Sequence, residues 1–428
     1  MFSFLLLASG CLLAGGDHRE SGSQPQSRLL RVATSGDYRP FSHWPQSSPE
    51  PQGFSPDLVR AFARDSGVEI EWVRFRWPSL LTDLQARRFD VAISGLTIGP
   101  TRSIAGRFSL PLTTSGALVL VPESSALRRA GGHLERVARR LFPLASIEAV
   151  PRNHDVLGRL ARGTALGVVT DSLEAPHWQA QVEGLRRIGP LTQDRKAALF
   201  DPAQVELAGR FDTWLLEAEA SGKLGRLRER HGLPTDRTAE PVRALLAGLD
   251  ERLSLMVSVA RSKSLLELAV EDPEREVRVL EAAWRSVEEA ARAAHLKPPP
   301  QQAVRRLFQA QIEAAKWIQT HALLEQDGAW LAATPQRRAE ARSRLDRALR
   351  PALLRIGARI SALVVRAEAP ALARLDFAQT RRALARHGLP DAQLRALHEA
   401  LINLLQPSSP DASAPPPRSA GPDIDSSA

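Results

Sequence analysis

The sequence predicts two unlike halves, an α/β half followed by an all-helical one. Three observations carry this. Between residues 29 and 95 short apolar runs alternate with amphipathic stretches, the βαβα order that implies a mostly parallel sheet. From Val242 onward apolar residues recur at three and four, broken only at proline- and glycine-bearing stretches. The 428 residues exceed one ordinary core, and 43% hydrophobic content is ample for two.

The elements follow in order. Met1–Gly16 is an apolar run too short to span a bilayer; it reads as a secretory signal, although the usual Lys or Arg at its start is missing. Ala8-Ser9-Gly10-Cys11 resembles a lipoprotein processing site, which makes a lipid anchor at Cys11 the one expected membrane contact. Residues 17–28 are a polar linker. Leu29–Ala33 reads as a buried strand, 34–42 as a loop, and 53–66 as a helix opened by Asp57 with Leu58, Ala61 and Phe62 on one face. Val68–Val73 alternates as a strand, Trp77–Arg87 is a helix, and Asp90–Gly95 is a buried strand running into a loop. Leu166–Asp171 is a further strand and Asp212–His231 a helix, after which Pro234–Pro241 reads as a short linker. The helical half spans 242–405, with helices over 242–269, 273–294, 300–326, 336–367, 371–386 and 391–405. Its breaks fall at Pro273, Lys297–Pro300, Gly328, Ala369-Pro370 and Gly388–Pro390. The Pro-, Ser- and Ala-rich tail 406–428 has the composition of a disordered segment.

The formal charge of +9 could suggest nucleic acid, but the arginines are spread along the chain and interleaved with Asp and Glu. A single Tyr argues against a base-stacking surface, so no nucleic-acid partner is expected. One cysteine excludes a disulfide within the chain. The ten histidines are scattered without a ligand-like pair, and no glycine-rich phosphate loop occurs, so neither a metal nor a cofactor is expected. The sequence leaves a homo-oligomer open.

The stretch Glu251–Arg275 carries chemistry. Arg252 and Lys263 are eleven residues apart, close to three helical turns, and project from nearly one face. Asp272-Pro273 starts the next helix as N-cap and first residue, which puts Arg275 in the first turn, where the dipole disfavours a cation. Three such cations look like an anion site; the plain alternative is solvated charge on an arginine-rich helix. The register Arg252, Lys263, Asp272, Arg275, followed by QIEAAKWIQ at 311–319, resembles the all-helical chorismate mutases and is most similar to their secreted subclass. That resemblance implies Arg252 and Arg275 on the substrate carboxylates, Lys263 and Gln319 donating to the ether oxygen, and Asp272 on the ring hydroxyl. Gln311, Ala315 and Gln319 share a face at spacing four. Arg342 resembles an extra carboxylate ligand of the secreted subclass, and Val279 stands where relatives carry a Gln.

The phrases RVATSGDYRPFS, GFSPDLVRAFARDSGVEIEWV, RFDVAISGLTI and TRSIAGRFSLPL resemble the periplasmic solute-binding proteins for amino acids, two-lobed clamshells with the ligand in the cleft. Within them SGDYRPFSHW and FRWPSLLTDL look most like cyclohexadienyl dehydratase. The resemblance covers residues 29–233 and places the second lobe from about Leu118. At 146–155 Arg152-Asn153-His154-Asp155 replaces the small residues of the family's anion loop. By the same resemblance Glu174 is the general acid and Arg102 binds the α-carboxylate. Tyr38 and Trp77 line the ring pocket, Ser94 and Thr97 belong to the substrate contacts, and Lys196 is a further carboxylate ligand. Glu174 would have to be protonated, which burial in a cleft favours; its plain alternative is a carboxylate near a helix start.

The expected fold is thus a periplasmic-binding-protein-like clamshell followed by a helical chorismate mutase domain. The expected function is an exported bifunctional enzyme acting on chorismate and then prephenate, with arogenate as a further candidate. Its rivals are an amino-acid receptor fused to a mutase, which needs no acid at Glu174, and a structural helical adaptor, which leaves the Arg252, Lys263, Arg275 register unexplained.

Overall fold

The computed structural model describes residues 29–122, 129–130, 147–148, 153–165, 167–324 and 334–406. The expected signal with Cys11, the linker 17–28, Arg152 of the replaced anion loop, Gly328 and the tail from 407 lie outside these residues.

The first lobe opens with β1 (Leu29–Thr34), the short pair β2 (Asp37–Tyr38) and β3 (Ser42–His43), then α1 (Phe54–Ser66) and β4 (Glu69–Arg74). β1 and β4 run parallel from Leu29↔Glu69 to Thr34↔Arg74. Gly53, at φ 117, is the residue before α1, so Asp57 stands in the first turn rather than opening the helix. The expected helix over 77–87 divides into a 3-10 turn at Trp77–Ser79 and α2 (Leu80–Gln85). β5 (Val91–Thr97) is buried at every position and runs parallel to β1. It leads through α3 (Pro100–Ala105) and β6 (Arg107–Phe108) to β7 (Thr113–Ser115).

The second lobe holds β8 (Ala117–Pro122), the short pair β9 (Arg129–Ala130) and β10 (Ile147–Glu148), α4 (Asn153–Ala161), β11 (Val168–Asp171), α5 (Ala175–Gln179) and β12 (Leu185–Ile188). Its sheet has the order β11-β8-β12, antiparallel throughout. β13 (Asp194–Phe200) then returns to the first lobe and pairs antiparallel with β5, giving the order β4-β1-β5-β13-β6. α6 (Val205–Ala220) and α7 (Lys223–Arg230) close this half.

The remaining elements are helical: α8 (Pro241–Ser254), α9 (Met256–Leu265), α10 (Pro273–Ala294), α11 (Gln301–Leu324), α12 (Pro335–Arg344), α13 (Arg350–Val365), α14 (Ala369–Ala373), α15 (Phe377–Leu384) and α16 (Asp391–Ile402). Three expected helices are interrupted. The stretch 242–269 breaks at Leu255, where the Ser254 hydroxyl donates to the Glu251 carbonyl at 2.6 Å, a local bond that competes with the helix ladder. It ends at Leu265, with Glu267 at φ 55. The stretch 336–367 contains a π-helical turn at Leu345–Leu349. The stretch 371–386 restarts at Asp376, which forms a capping box with Gln379.

The two halves pack on one another, and the residues read as a plain linker are part of the joint. Thr238 and Ala239 are buried. Glu219 takes a bidentate pair of hydrogen bonds from the fully buried Arg228 at 2.8–2.9 Å and another from the Ala239 amide at 3.0 Å. On α8, Asp250 accepts from Arg386 at 2.6 and 2.8 Å and pairs with His387 at 2.8 Å, while Arg195 of β13 reaches it from the first lobe. Burial alone would raise the Asp250 pKa; Arg386, His387 and Arg195 outweigh it and hold the carboxyl at about 2.

Candidate functional sites

The cleft site forms where the two lobes' strands meet. Lys196 of β13 lies opposite Thr97 of β5 in register. Its ammonium donates to Thr97 Oγ1 at 2.8 Å and to the Tyr38 hydroxyl at 3.3 Å, and pairs with Asp171 Oδ2 at 2.7 Å. Asp171 ends β11, so this ion pair joins the first lobe to the second. Asp171 also accepts from Ser115 Oγ at 2.8 Å and from the Leu173 amide at 2.9 Å. Glu174 is 3% exposed, and its Oε2 accepts from Thr170 Oγ1 at 2.8 Å. Burial, then the charges of Asp171, Glu174 and Asp194, push the Tyr38 phenol well above its ordinary range. Trp77 stands edge-on to Tyr38, ring centroids 5.8 Å apart, and its indole N–H donates to Asp37 at 3.0 Å. Arg102, on α3, donates to the Thr97 carbonyl at 3.1 Å.

The structure therefore brings Tyr38, Thr97, Lys196 and Glu174 to one place, with Arg102 and Trp77 beside it. Ser94 is different. It is fully buried and is the hub of a hydroxyl cluster, 2.7 Å from Ser42, 2.8 Å from Ser35 and 3.3 Å from Thr34. Its side-chain hydrogen-bonding capacity is spent inside the lobe. The next residue, Gly95, has φ +64, and a Cβ there would stand 2.5 Å from the Phe41 ring and 2.8 Å from that of Tyr38. Asp171 was missed by the sequence reading; its only signal was a carboxylate ending an apolar strand.

The helical site is built on α8, α9, α10, α11 and α13. Arg252 lies in the last turn of α8, Lys263 in that of α9 and Arg275 in the first turn of α10. Asp272 caps α10, accepting from the Arg275 amide at 3.0 Å. Lys263 donates to the carbonyls of Ala269 and Val270 at 2.9 and 3.0 Å. Among the described residues no carboxylate forms an ion pair with Arg252, Lys263 or Arg275. Instead the cations lower one another: burial and Arg275 hold Arg252 down to about 10, and burial and Arg275 lower Lys263. Arg275 is lowered by burial and by Arg350. Asp272 opposes the shift at Lys263 and Arg275 without cancelling it. A partly buried group of like charges with no ion-paired carboxylate among the described residues is matched to a multiply charged anion.

On α11, Gln319 donates to the Ala315 carbonyl at 3.2 Å and contacts Met256 Sδ at 3.8 Å, leaving its buried Oε1 without a partner. Gln311, 1% exposed, has neither side-chain polar atom paired. Arg342 lies on the exposed face of α12. The cation that reaches the charge group is Arg350, at the start of α13, paired with Asp346. The π turn between the two arginines changes the helical phase, and no feature of the sequence announced it.

Comparison with known proteins finds a family for each half. Residues 30–234 match the bacterial extracellular solute-binding proteins, family 3, and residues 243–320 match chorismate mutase type II. A cyclohexadienyl dehydratase of Pseudomonas aeruginosa is 30% identical over 49% of this chain and 84% of its own length. The arginine-binding extracellular protein ArtP of Bacillus subtilis is 25% identical over 53% of this chain and 96% of its own. Among solved structures, an ancestral amino acid-binding protein described as a precursor of cyclohexadienyl dehydratase is 28% identical, covering 47% of this chain and 94% of that one, with a TM-score of 0.43. The chain belongs to the family 3 solute-binding proteins through its N-terminal half, the cyclohexadienyl dehydratase among its relatives, and carries a chorismate mutase type II domain after it.

Proposed function

We propose that the protein is a bifunctional enzyme that rearranges chorismate to prephenate in its helical half and dehydrates prephenate to phenylpyruvate in its cleft. The observation that carries the first activity is the convergence of Arg252, Lys263, Arg275 and Arg350 with, among the described residues, no ion-paired carboxylate on the first three. The rearrangement is intramolecular and needs no nucleophile or base. The site must hold the dianion in its reactive conformer and stabilise negative charge developing on the ether oxygen. Arg252, Arg275 and Arg350 serve the carboxylates, which a guanidinium can bind bidentately. Lys263 and Gln319 donate to the ether oxygen, Asp272 takes the ring hydroxyl, and Gln311 supports the same face of α11.

In the cleft, Glu174 delivers a proton to the departing ring hydroxyl, which leaves as water. The bond to the ring carboxylate breaks with it; carbon dioxide departs and its electron pair enters the ring, which becomes aromatic. Arg102 holds the side-chain carboxylate, and Tyr38 and Trp77 line the ring pocket. Thr97 fixes the Lys196 ammonium. The product of one half is the substrate of the other, which is the strongest support for reading them together. We further propose export, on the family's character and the N-terminal apolar run; a lipid on Cys11 is a separate proposal, checked by mass spectrometry of membrane and soluble fractions. The test of function is to feed chorismate to the purified protein and follow prephenate and phenylpyruvate together. Both should appear in succession. Tight amino-acid binding without any dehydration would make the cleft a receptor.

A further inference from the structure

We infer that Arg355, on the helical half, is a positioning residue of the cleft: it holds the short helix that presents Arg102 to the substrate carboxylate. The inference rests on the dehydratase reading for the substrate and adds to that site a residue from the other half of the chain.

Helix α3 spans only Pro100–Ala105, too short to keep its shape by its own hydrogen bonds. Its start is fixed within the first lobe. The amides of Arg102 and Ser103 donate to the Gly99 carbonyl at 3.1 and 2.9 Å, and Arg102 Nη1 donates to the Thr97 carbonyl at 3.1 Å. Its end is held from the helical half. The last carbonyls of a helix have no partner inside it. Here Nη2 of Arg355, on α13, stands 3.3 Å from the Ser103 carbonyl, 3.2 Å from that of Ile104 and 3.3 Å from that of Gly106. Gly106 in turn donates its amide to the Arg102 carbonyl at 2.9 Å. Two hydrogen bonds thus connect the Arg355 guanidinium to the backbone of Arg102.

Arg359 follows four residues later and shares a face of α13 with Arg355. Its Nη1 donates to the Phe108 carbonyl at 2.5 Å, and it forms a buried ion pair with Glu251 of α8. One face of α13 therefore grips four carbonyls between Ser103 and Phe108, and the ion pair fixes that face against α8. Ser103 is 1% exposed, so its carbonyl has little access to water if Arg355 is removed. The last turn of α3 then shifts to find new partners and carries Arg102 with it. A bidentate hold on a carboxylate is sensitive to such a shift, because a displacement of about 1 Å can cost as much as a hundredfold. A contact that merely glues the halves together would lower the melting temperature and leave prephenate affinity alone.

The test is a double-mutant cycle in the full chain, with kinetics read well below the melting temperature of each variant. Arg355→Met keeps the length of the stem and removes the donors. It should raise KM for prephenate by at least about fivefold. The kcat for dehydration should stay within about threefold, since the lost interaction is one of binding. Chorismate KM and kcat should stay within about twofold, because Arg355 touches the first lobe and not the mutase charge group. In an Arg102→Ala background the same substitution should change the prephenate KM by less than about twofold, as expected of two residues that act through one contact. Arg355→Lys keeps the cation without the planar fork and should give an intermediate KM. A Met variant with the wild-type KM, or with an equal rise in the Arg102→Ala background, makes Arg355 a joint contact only and overturns the inference. If Arg355→Met does not fold, the cycle run with Arg355→Lys decides on the same terms. If the wild type leaves prephenate unchanged, the dehydratase reading fails and the calorimetric Kd of prephenate replaces KM in the cycle; absence of binding as well overturns both.

Discussion

A proton donor and a charge donor make different demands on a single residue, and Glu174 and Lys263 can be separated on that basis. Glu174→Gln keeps the shape and the bond from Thr170 but has no acidic proton to give. A positioned acid contributes roughly 10²–10⁴-fold. Phenylpyruvate formation should fall by at least about a hundredfold, with prephenate binding retained by calorimetry and chorismate turnover unchanged. Lys263→Ala should instead lower chorismate kcat by about 10²–10³-fold while dehydration of added prephenate persists. Burial and Arg275 lower the Lys263 pKa from its ordinary value. Its protonated form is the donor, so mutase kcat/KM should decline on the alkaline side, beginning below the pH at which an ordinary lysine titrates. A profile flat through that range would remove Lys263 from the mechanism. Arg252, Lys263 and Arg275 were legible in the sequence through the spacing of the first two, the Asp272-Pro273 start that puts Arg275 in a first turn and the resemblance of the whole register, although the break at Leu255 sets Arg252 and Lys263 on separate helices. Arg350 was not, and the discriminating pair is Arg350→Ala against Arg342→Ala. The first should raise KM for chorismate by about tenfold or more, and the second should leave it within about twofold, as expected of an exposed arginine.

At the scale of elements, periodicity revealed that helices exist but not where they bend. The break at Leu255 depends on a serine bonding locally to a carbonyl, and the π turn at Leu345–Leu349 has no composition of its own. The strands of the first lobe were legible because both faces of β1 and β5 are covered and their sequences are correspondingly apolar. The function of Gly95 was not, since its need for φ +64 and for an empty Cβ position arises from Phe41 and Tyr38, more than fifty residues earlier. Gly95→Ala therefore strains the backbone and drives a methyl into two rings. It should cost about 1–3 kcal/mol of stability and weaken prephenate binding through displacement of Tyr38, with chorismate KM unaltered. Thermal melting and the two KM values check this; an unshifted melt would mean that the rings yield freely.

At the scale of the molecule, the halves were legible as fold classes, but their joint was read as a linker with few contacts. No composition signal marks it, because it is made by pairs distant in sequence: Glu219 with Ala239, and Asp250 with Arg195, Arg386 and His387. A fragment of residues 240–405 retains Arg386 and His387 around Asp250 but loses Arg195. It should fold as a helical protein and rearrange chorismate, yet melt at lower temperature than the helical half does within the full chain. The sharper test is pH. Arg386, His387 and Arg195 hold the Asp250 carboxyl at about 2 in the folded protein, below the ordinary aspartate value of 3.8. A carboxyl whose pKa falls on folding stabilises the native state fully above its unfolded pKa and loses that contribution as pH drops through the folded value. The shift corresponds to about 2 kcal/mol, present at pH 7 and lost progressively between about pH 4 and pH 2. Asp250→Asn removes the charge at every pH and leaves Arg195 and Arg386 facing a neutral amide. At pH 7 it should destabilise by about 3–5 kcal/mol, the range for a broken buried pair. As pH falls from about 4 through about 2 the wild type loses the stabilisation that the ionised carboxyl contributes, so the two melting curves should converge over that window. If they stay parallel from pH 7 down to pH 2, the ionised carboxyl of Asp250 contributes nothing to holding the two halves together.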